Sequence, residues 1–372
     1  MTKPHPFRMI GSYLQLKRRR GDLAERGRKL APQCIKGLLL AALYTLPAAA
    51  LQRFHQTHPA MGTIFTIDLY APDQATAEQD MNLAFNEIDR LEALLSNYRP
   101  SSELSRISRE AGSGPVVTDP ETFRFLERSV YWSRVSGGAF DITVGPLLRA
   151  WGFFFHQGRI PSEAELNALR DKIGWQHIAL DPATRSVSFT QHQPMELDPG
   201  SIGKGFAVES VEKLLRKQGV TSAFIDAGGS TLYAIGAIPG TAGWPIDVPD
   251  PLHPGKLAAT IQLKDTSLST GACTQKFFLK NGHRYCHIFD PRTMRPVEGV
   301  LQTTVIDPSA TDSDALSTVV FVLSPAESRR LLDPVPDVQA LIFTQSSCTA
   351  IHWTGRPCNQ TSAPQKGPQP HD

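Results

Sequence analysis

The chain has 372 residues, 41% of them hydrophobic, with 38 Lys and Arg against 36 Asp and Glu. That size, without a long low-complexity block, allows one large core or two modest ones, and a globular enzyme is feasible. Ten basic residues fall within positions 1–50 beside only Asp22 and Glu25, so this stretch carries +8 and the rest of the chain about −6. The basicity belongs to the leader, and no nucleic-acid partner is implied.

Within the leader, Gly37 to Ala50 is an uncharged apolar run that follows Lys36 and ends in an Ala-x-Ala pattern, the layout of a secretory signal. It falls short of the roughly 20 residues of a membrane span, and Pro47 suits a cleavage region. Export to the periplasm with cleavage near Ala50 is therefore expected, with an uncleaved inner-membrane anchor as the alternative. Arg18-Arg19-Arg20-Gly21-Asp22 is a poor twin-arginine signal, and no cysteine ends the run to take a lipid. Cys34 lies in the leader, which leaves Cys273, Cys286, Cys348 and Cys358. Cys348 and Cys358 either close a small loop or stay as thiols, and no Cys-x-x-Cys spacing marks a zinc or redox site.

Residues 62–70 are rich in β-branched and aromatic side chains and end at Ala71-Pro72-Asp73, which predicts a strand and turn. Ala77, Met81, Ala84, Ile88, Leu91 and Leu95 recur at helical spacing over 75–95. A second helix is expected over Thr122–Ser136, closed by Gly137-Gly138, and a third over Ile202–Gln218, stopped by Gly219. Strands are expected at 222–226, 231–236, 257–263, 274–280, 284–289, 301–306 and 339–344, with Asn281-Gly282 as a hairpin turn. The fold class read from this order is α+β, with largely antiparallel sheets and packed helices. From about Pro357 the chain is polar and proline-rich, and residues 357–372 are expected to be a disordered tail.

Four segments can carry chemistry. In Ala310–Thr318, Thr311 or Asp312 can cap a helix, which sets Asp314 and Thr318 four residues apart on one face. That pair either offers a carboxylate and a hydroxyl to a hard cation such as magnesium, or the acids only cap the helix. Leu197-Asp198-Pro199-Gly200-Ser201-Ile202-Gly203-Lys204-Gly205-Phe206 is a glycine-rich helix entry, either a tight structural turn or a site whose amides hold phosphate oxygens, and it is neither a Walker loop nor a dinucleotide fingerprint. Asp226-Ala227-Gly228-Gly229 reads as a turn. In His287-Ile288-Phe289-Asp290-Pro291-Arg292-Thr293, His287 lies in the expected second strand of the hairpin, as a structural or a catalytic imidazole.

The order and wording of these segments resemble the ApbE family of FAD:protein FMN transferases over about residues 58–325. Further matching pieces are Met61-Gly62-Thr63, the run from Ser96-Asn97-Tyr98-Arg99-Pro100 to Ser105, the run from Gly137-Gly138-Ala139-Phe140-Asp141 to Leu147, and Trp151-Gly152-Phe153. The resemblance implies a T-fold-like single catalytic domain over 55–350, with FAD lined by Met61, Tyr98, Ala139, Phe140, Asp141, Asp198, Lys204 and Ile288. It implies Mg2+ held by the Ser201 carbonyl, Asp314 and Thr318, with Ser317 nearby. The implied reaction moves FMN from FAD to a Thr or Ser of a flavin-carrying subunit of a membrane redox complex and releases AMP. Asp314 then serves catalysis through the metal, and His287 is the candidate general base because an imidazole titrates near neutral pH. An FAD pyrophosphatase and a non-catalytic FAD-binding protein are the rival readings. Pro199, Ser230, Met294 and Ser269-Thr270-Gly271-Ala272 depart from the commoner family wording, which leaves loop shape and substrate fit open.

Overall fold

The structure is a computed structural model and describes residues 50–154, 157–274 and 276–354; residues 1–49 of the leader, the polar tail and Cys358 lie outside the described residues. Strands β1 (Gln52–Ala60) and β2 (Thr63–Ala71) form an antiparallel hairpin, followed by helices α1 (Gln74–Leu95) and α2 (Glu103–Glu110). Next come β3 (Val116–Val117), α3 (Pro120–Val135), α4 (Gly145–Ala150), α5 (Glu163–Asn167), β4 (Ile178–Asp181) and β5 (Ser186–Phe189). Helix α6 (Gly203–Lys217) leads into β6 (Ala223–Ala227), β7 (Thr231–Ile235), β8 (Trp244–Pro249), β9 (Leu257–Leu263) and β10 (Thr266–Ala272). The hairpin β11 (Phe277–Lys280) and β12 (His283–Cys286) is followed by β13 (Phe289–Asp290), β14 (Arg295–Pro296) and β15 (Val300–Asp307). Helices α7 (Ala310–Val322) and α8 (Pro325–Leu332) precede β16 (Gln339–Thr344) and β17 (Cys348–Ile351).

Eight strands form one sheet in the order β1-β2-β6-β7-β10-β15-β16-β17, with every neighbouring pair antiparallel. Period-two alternation gives the sheet two apolar faces. Phe65, Ile67 and Leu69 of β2, Ile225 of β6 and Ile342 of β16 share the main core with Met81 and Ile88 of α1, Phe206 and Val211 of α6, and Leu316 and Val320 of α7. Tyr70, Phe224, Leu232, Leu341 and Phe343 point the other way, into a second core closed by the β8-β9 hairpin through Trp244, Val248 and Leu263. Each such fully buried side chain contributes roughly 1.5–3 kcal/mol. The expected α+β class is thus realised as a sheet between a helical layer and a covering hairpin.

Local chemistry explains the element ends. Asp73 caps α1 by accepting from the Thr76 amide at 2.8 Å, and Asp119 caps α3 with Pro120 in its first turn. Helix α7 is capped by Ser309, whose hydroxyl accepts from the Asp312 amide at 3.2 Å, and not by Thr311 or Asp312 as expected. Asn281 (φ 53°) and Gly282 (φ 74°) form the expected two-residue turn, and Met61 (φ 51°) and Gly62 (φ 69°) make a second one between β1 and β2. Strand β11 starts at Phe277 and not at 274, and β12 stops at Cys286. One in-register bond follows, from the His287 amide to the O of the opposing Lys276 at 3.3 Å, and Cys286 at the strand end is bonded to Cys273. His287 therefore sits just past the strand expected to hold it. Among the described residues no helix is long and apolar enough to cross a membrane.

Candidate functional site

Antiparallel pairing brings the β1-β2 turn, the β6-β7 turn and the C-terminal end of β10 to one end of the sheet. Met61 and Gly62 form the first of these turns. Gly228 in the second has φ 65°, and a Cβ there would lie 1.9 Å from Thr63 Oγ1, so only glycine allows the two turns to touch. The Ser230 carbonyl accepts from the Thr270 amide at 2.8 Å, which ties this turn to β10.

Helix α6 enters the same region without a side-chain cap. The Gly200 amide donates to Asp198 Oδ1 at 2.8 Å, and the Ile202 and Gly203 amides donate to Pro199 O at 3.1 and 2.7 Å. The Gly205 amide donates to Asp314 Oδ2 at 2.8 Å. The phosphate cradle expected over 200–205 is therefore narrower than its glycines suggest. Among the described residues only the Ser201 and Lys204 amides of that turn find no acceptor.

A Cβ on Gly205 would lie 2.2 Å from Ala310 O and 2.6 Å from Asp314 Cβ, so α6 and α7 cross in close contact here. The second Asp314 oxygen accepts from Thr231 Oγ1 at 3.1 Å, and Ser317 Oγ donates to Asp314 O at 2.8 Å. Thr318 is half-buried one turn beyond Asp314. The Ser201 carbonyl would take the Gly205 amide had the helix begun a turn earlier; it accepts no hydrogen bond among the described residues. The crossing thus offers one carboxylate, two hydroxyls and, at the start of α6, an open carbonyl. This all-oxygen set fits a hard divalent cation. It is not a cluster of acids and imidazoles: among the described residues no group of three or more His, Cys, Asp or Glu could hold a metal.

Asp312, its neighbour, has a different use. Its Oδ1 accepts from Arg128 Nε at 2.5 Å and Trp132 Nε1 at 2.9 Å, which ties α7 to α3. Glu209 of α6 accepts from Ser309 Oγ at 2.6 Å and the Thr311 amide at 3.2 Å, which ties α7 to α6.

Asp198 joins two motifs. Its Oδ2 accepts from Asn97 Nδ2 at 2.6 Å, and burial pushes its carboxyl above the usual range against these bonds. Beside Asn97, Tyr98 stacks on Phe154 at 4.5 Å, and Arg149 lies over the Phe154 ring at 3.7 Å. These residues line an open cleft of about 890 Å³, within the usual size of a small-molecule site. Ala139 and Phe140 are buried, so their side chains belong to the core, and the Phe140 amide donates to Ser136 Oγ at 3.0 Å. Asp141 is a loop organiser: Oδ1 accepts from the Thr143 amide and hydroxyl at 2.9 and 2.7 Å, and Oδ2 from the Trp175 amide at 2.9 Å. Burial raises its pKa all the same. Ile288 is buried against Cys273, Cys286 and Phe321.

His287 Nδ1 lies 2.9 Å from Lys276 O. A carbonyl only accepts, so Nδ1 carries the proton and Nε2 keeps a bare lone pair. Burial and then the Lys276 charge lower the His287 pKa to about 4, with Lys204 adding to the effect. The expectation of an imidazole titrating near neutrality is corrected accordingly: this one stays neutral there. Lys276 is itself lowered by burial and by Lys204, with Asp198 opposing. Asp198, Lys204, Lys276 and His287 thus share one electrostatic environment. Lys276 is the member that sequence reasoning missed, and Asn97, which donates to Asp198, stood in a matching motif without a role of its own; each is an ordinary polar residue until the fold supplies its neighbours.

The pattern that defines the ApbE family matches residues 61–342. A FAD:protein FMN transferase of Treponema pallidum is 30% identical over 311 residues, covering 79% of this chain and 85% of its own. One from Klebsiella pneumoniae is 31% identical over 288 residues, covering 77% and 87%. Among solved structures, the ApbE protein of Thermotoga maritima is similar with TM-score 0.74 at 26% identity, over 81% of this chain and 97% of that one. The flavin transferase ApbE of Vibrio cholerae is similar with TM-score 0.72 at 25% identity, over 81% and 97%. The matched span runs from the Met61 turn into β16 and contains every site residue described above: the chain belongs to the ApbE family.

Proposed function

We propose that this chain is an FAD:protein FMN transferase that moves FMN from FAD to a Thr or Ser hydroxyl of an acceptor protein and releases AMP, with Mg2+ as its metal. The transferase reading rests on family membership and on relatives of that name that match most of the chain. The observation that carries its chemistry is the Gly205–Asp314 hydrogen bond. It holds Asp314, on the helix that carries Ser317 and Thr318, against the start of α6, where the Ser201 carbonyl and two amides are open, and so supports this reading.

In the proposed step the acceptor oxygen attacks the phosphorus joined to riboflavin, the bond to the AMP phosphate breaks, and the hydroxyl proton leaves to a base. Asp314, Thr318 and the Ser201 carbonyl would hold Mg2+, with Ser317 beside them. Bound there, the metal supplies charge neutralisation on the diphosphate. The Ser201 and Lys204 amides and the Lys204 ammonium bind phosphate oxygens. His287 Nε2 receives the proton; its low pKa keeps the lone pair free across the neutral range but makes it a weak base. Met61, Tyr98, Ala139, Phe140, Asp141, Asp198 and Ile288 would line the rest of FAD, the buried ones through backbone groups.

The leader's layout supports a periplasmic setting, by export or by an inner-membrane anchor, and an acceptor that is a subunit of a membrane redox complex facing that compartment. The test incubates the chain from Leu51 onward with FAD, Mg2+ and a candidate acceptor, then measures AMP and flavin fluorescence on the denatured acceptor. AMP with a fluorescent acceptor is the expected result. AMP with free FMN only would make the chain a pyrophosphatase, and no AMP would make it a flavin-binding protein.

A further inference from the structure

We infer that the Cys273–Cys286 disulfide is a positioning device for His287, fastening the β11-β12 hairpin to the sheet end and helix that frame Asp314 and Thr318. The inference rests on the transferase reading above, and it adds a residue pair that the reaction itself does not use.

Strands β11 and β12 make a two-stranded sheet of their own, hydrogen-bonded to no strand of the eight-stranded sheet. A lone hairpin of this kind is marginally stable and wanders unless something holds it. The bonds of His287 do not anchor it. Its amide and Nδ1 both go to Lys276 O, at 3.3 and 2.9 Å, and Lys276 lies inside the loop that the disulfide closes. Aromatic contacts of Phe278 with Phe153 and of Tyr285 with Trp151 steady the hairpin away from the helices.

The covalent bond reaches the other side. Cys273 directly follows β10, and its amide points to Leu301 O of β15 at 3.4 Å, so this end belongs to the sheet. Cys286 ends β12, immediately before His287, and the two Cα atoms are 5.4 Å apart. Both cysteines are buried with Ile288 and with Phe321, a residue of α7 seven positions after Asp314. Asp314 and Phe321 are thus two turns apart along one rigid helix. A continuous path runs from Asp314 through α7 to Phe321, across the disulfide, and to His287. Without the bridge, His287 keeps its bond to Lys276, and Ile288 after it keeps its packing on Phe321 and its bond from the Val297 amide at 2.9 Å. The hairpin on the other side of His287 loses its covalent tie to the sheet, and with it the tight setting of the ring relative to Asp314. Displacements of about 1 Å at such a group cost on the order of a hundredfold in rate.

The test compares the mature chain with its C273S/C286S variant, with C348S/C358S as a control for cysteine removal elsewhere that leaves no odd thiol. Steady-state AMP release is expected to show kcat reduced by about tenfold or more and KM for FAD changed by less than about threefold. Proton NMR of the His287 ring, assigned by comparison with H287Q, is expected to show the variant's pKa rising from about 4 toward 6.5 as the ring gains water. A kcat within about twofold of the parent together with an unchanged His287 titration would overturn the inference. Should the serine pair fail to fold, C273A/C286V keeps the site beside Phe321 apolar and carries both readouts. If the parent releases no AMP, the transferase reading fails on its own, while the His287 titration still decides whether the bridge holds the hairpin.

Discussion

The Gly205 amide and Asp314 Oδ2 are 2.8 Å apart, and the space between their backbones is closed: a Cβ on Gly205 would lie 2.2 Å from Ala310 O. One hydrogen bond and one missing side chain therefore set the distance between α6, with its open Ser201 carbonyl, and α7, with its acid and hydroxyls.

Gly205→Ala should force the two helices apart, because the opposing atom is a backbone carbonyl that cannot rotate away. A loss of about 2–3 kcal/mol is expected from overpacking of this kind, together with loss of Mg2+-dependent AMP release. Urea unfolding and the AMP assay check the two parts. Stability and activity equal to the parent would mean that the crossing is looser than described.

Asp314→Asn keeps the volume and an oxygen for the Gly205 amide but removes the negative charge. Stability is expected to change little, whereas AMP release should fall by about a hundredfold or more, the scale for removing one preorganised charge. Calorimetric titration with Mg2+ alone should show weaker binding in the variant. Full activity in Asp314→Asn would remove Asp314 from the metal site.

The pH dependence follows from His287. Its neutral form accepts the proton, so activity is present above its pKa and is lost as pH falls through about 4, not through 6.5. Lys276→Met removes a like charge and should move the acid limb of the kcat profile upward. The limb stays below 6.5, because burial, the larger cause, remains. An acid limb near 6.5 in the parent enzyme would contradict the assigned environment.

Acid stability should depend on Glu209. Burial alone would raise its pKa, but Lys213 and the bonds from Ser309 and Thr311 outweigh it and hold the group at about 2, against 4.5 ordinarily. A folded-state pKa below the unfolded one adds stability that is complete above 4.5 and disappears as pH falls from 4.5 to 2. The contribution is of the order of 2–3 kcal/mol. Glu209→Gln should lower the melting temperature at pH 7 by roughly 5 °C and flatten the loss between pH 4.5 and 2. Melting curves across that range provide the check.

Much of the frame was legible because it follows periodicity. Helices α1, α3 and α6 repeat apolar residues every three or four positions and carry stop signals, and Asn281-Gly282 fixes a turn by backbone sterics. Strand β1 escaped notice because most of its side chains are exposed and show no alternation. Strand β10 escaped for the opposite reason. Its buried Ser267 and Ser269 pair with Ser313 of α7, each at 2.8 Å, and a buried serine looks like a loop residue until its partner is known.

The candidate site divides in the same way. Asp314 and Thr318 could be placed on one helix face by counting, but Asp314 at the Gly205 amide depends on two helices that bring together residues 109 apart in sequence. The Cys273–Cys286 bridge was invisible because the hairpin register sets Phe277, not Cys273, opposite Cys286. The low pKa of His287 needed Lys276 beside it and burial around it, and neither is encoded in the residues adjacent to it.

The most direct test of the account is the intact mass of an acceptor protein after incubation with FAD and Mg2+ and either the parent chain or Asp314→Asn. The account predicts an acceptor heavier by one FMN less one water, lost again on Ser or Thr removal in the acceptor, and absent with Asp314→Asn. An unchanged acceptor mass with the parent chain, while AMP and free FMN accumulate, would contradict it.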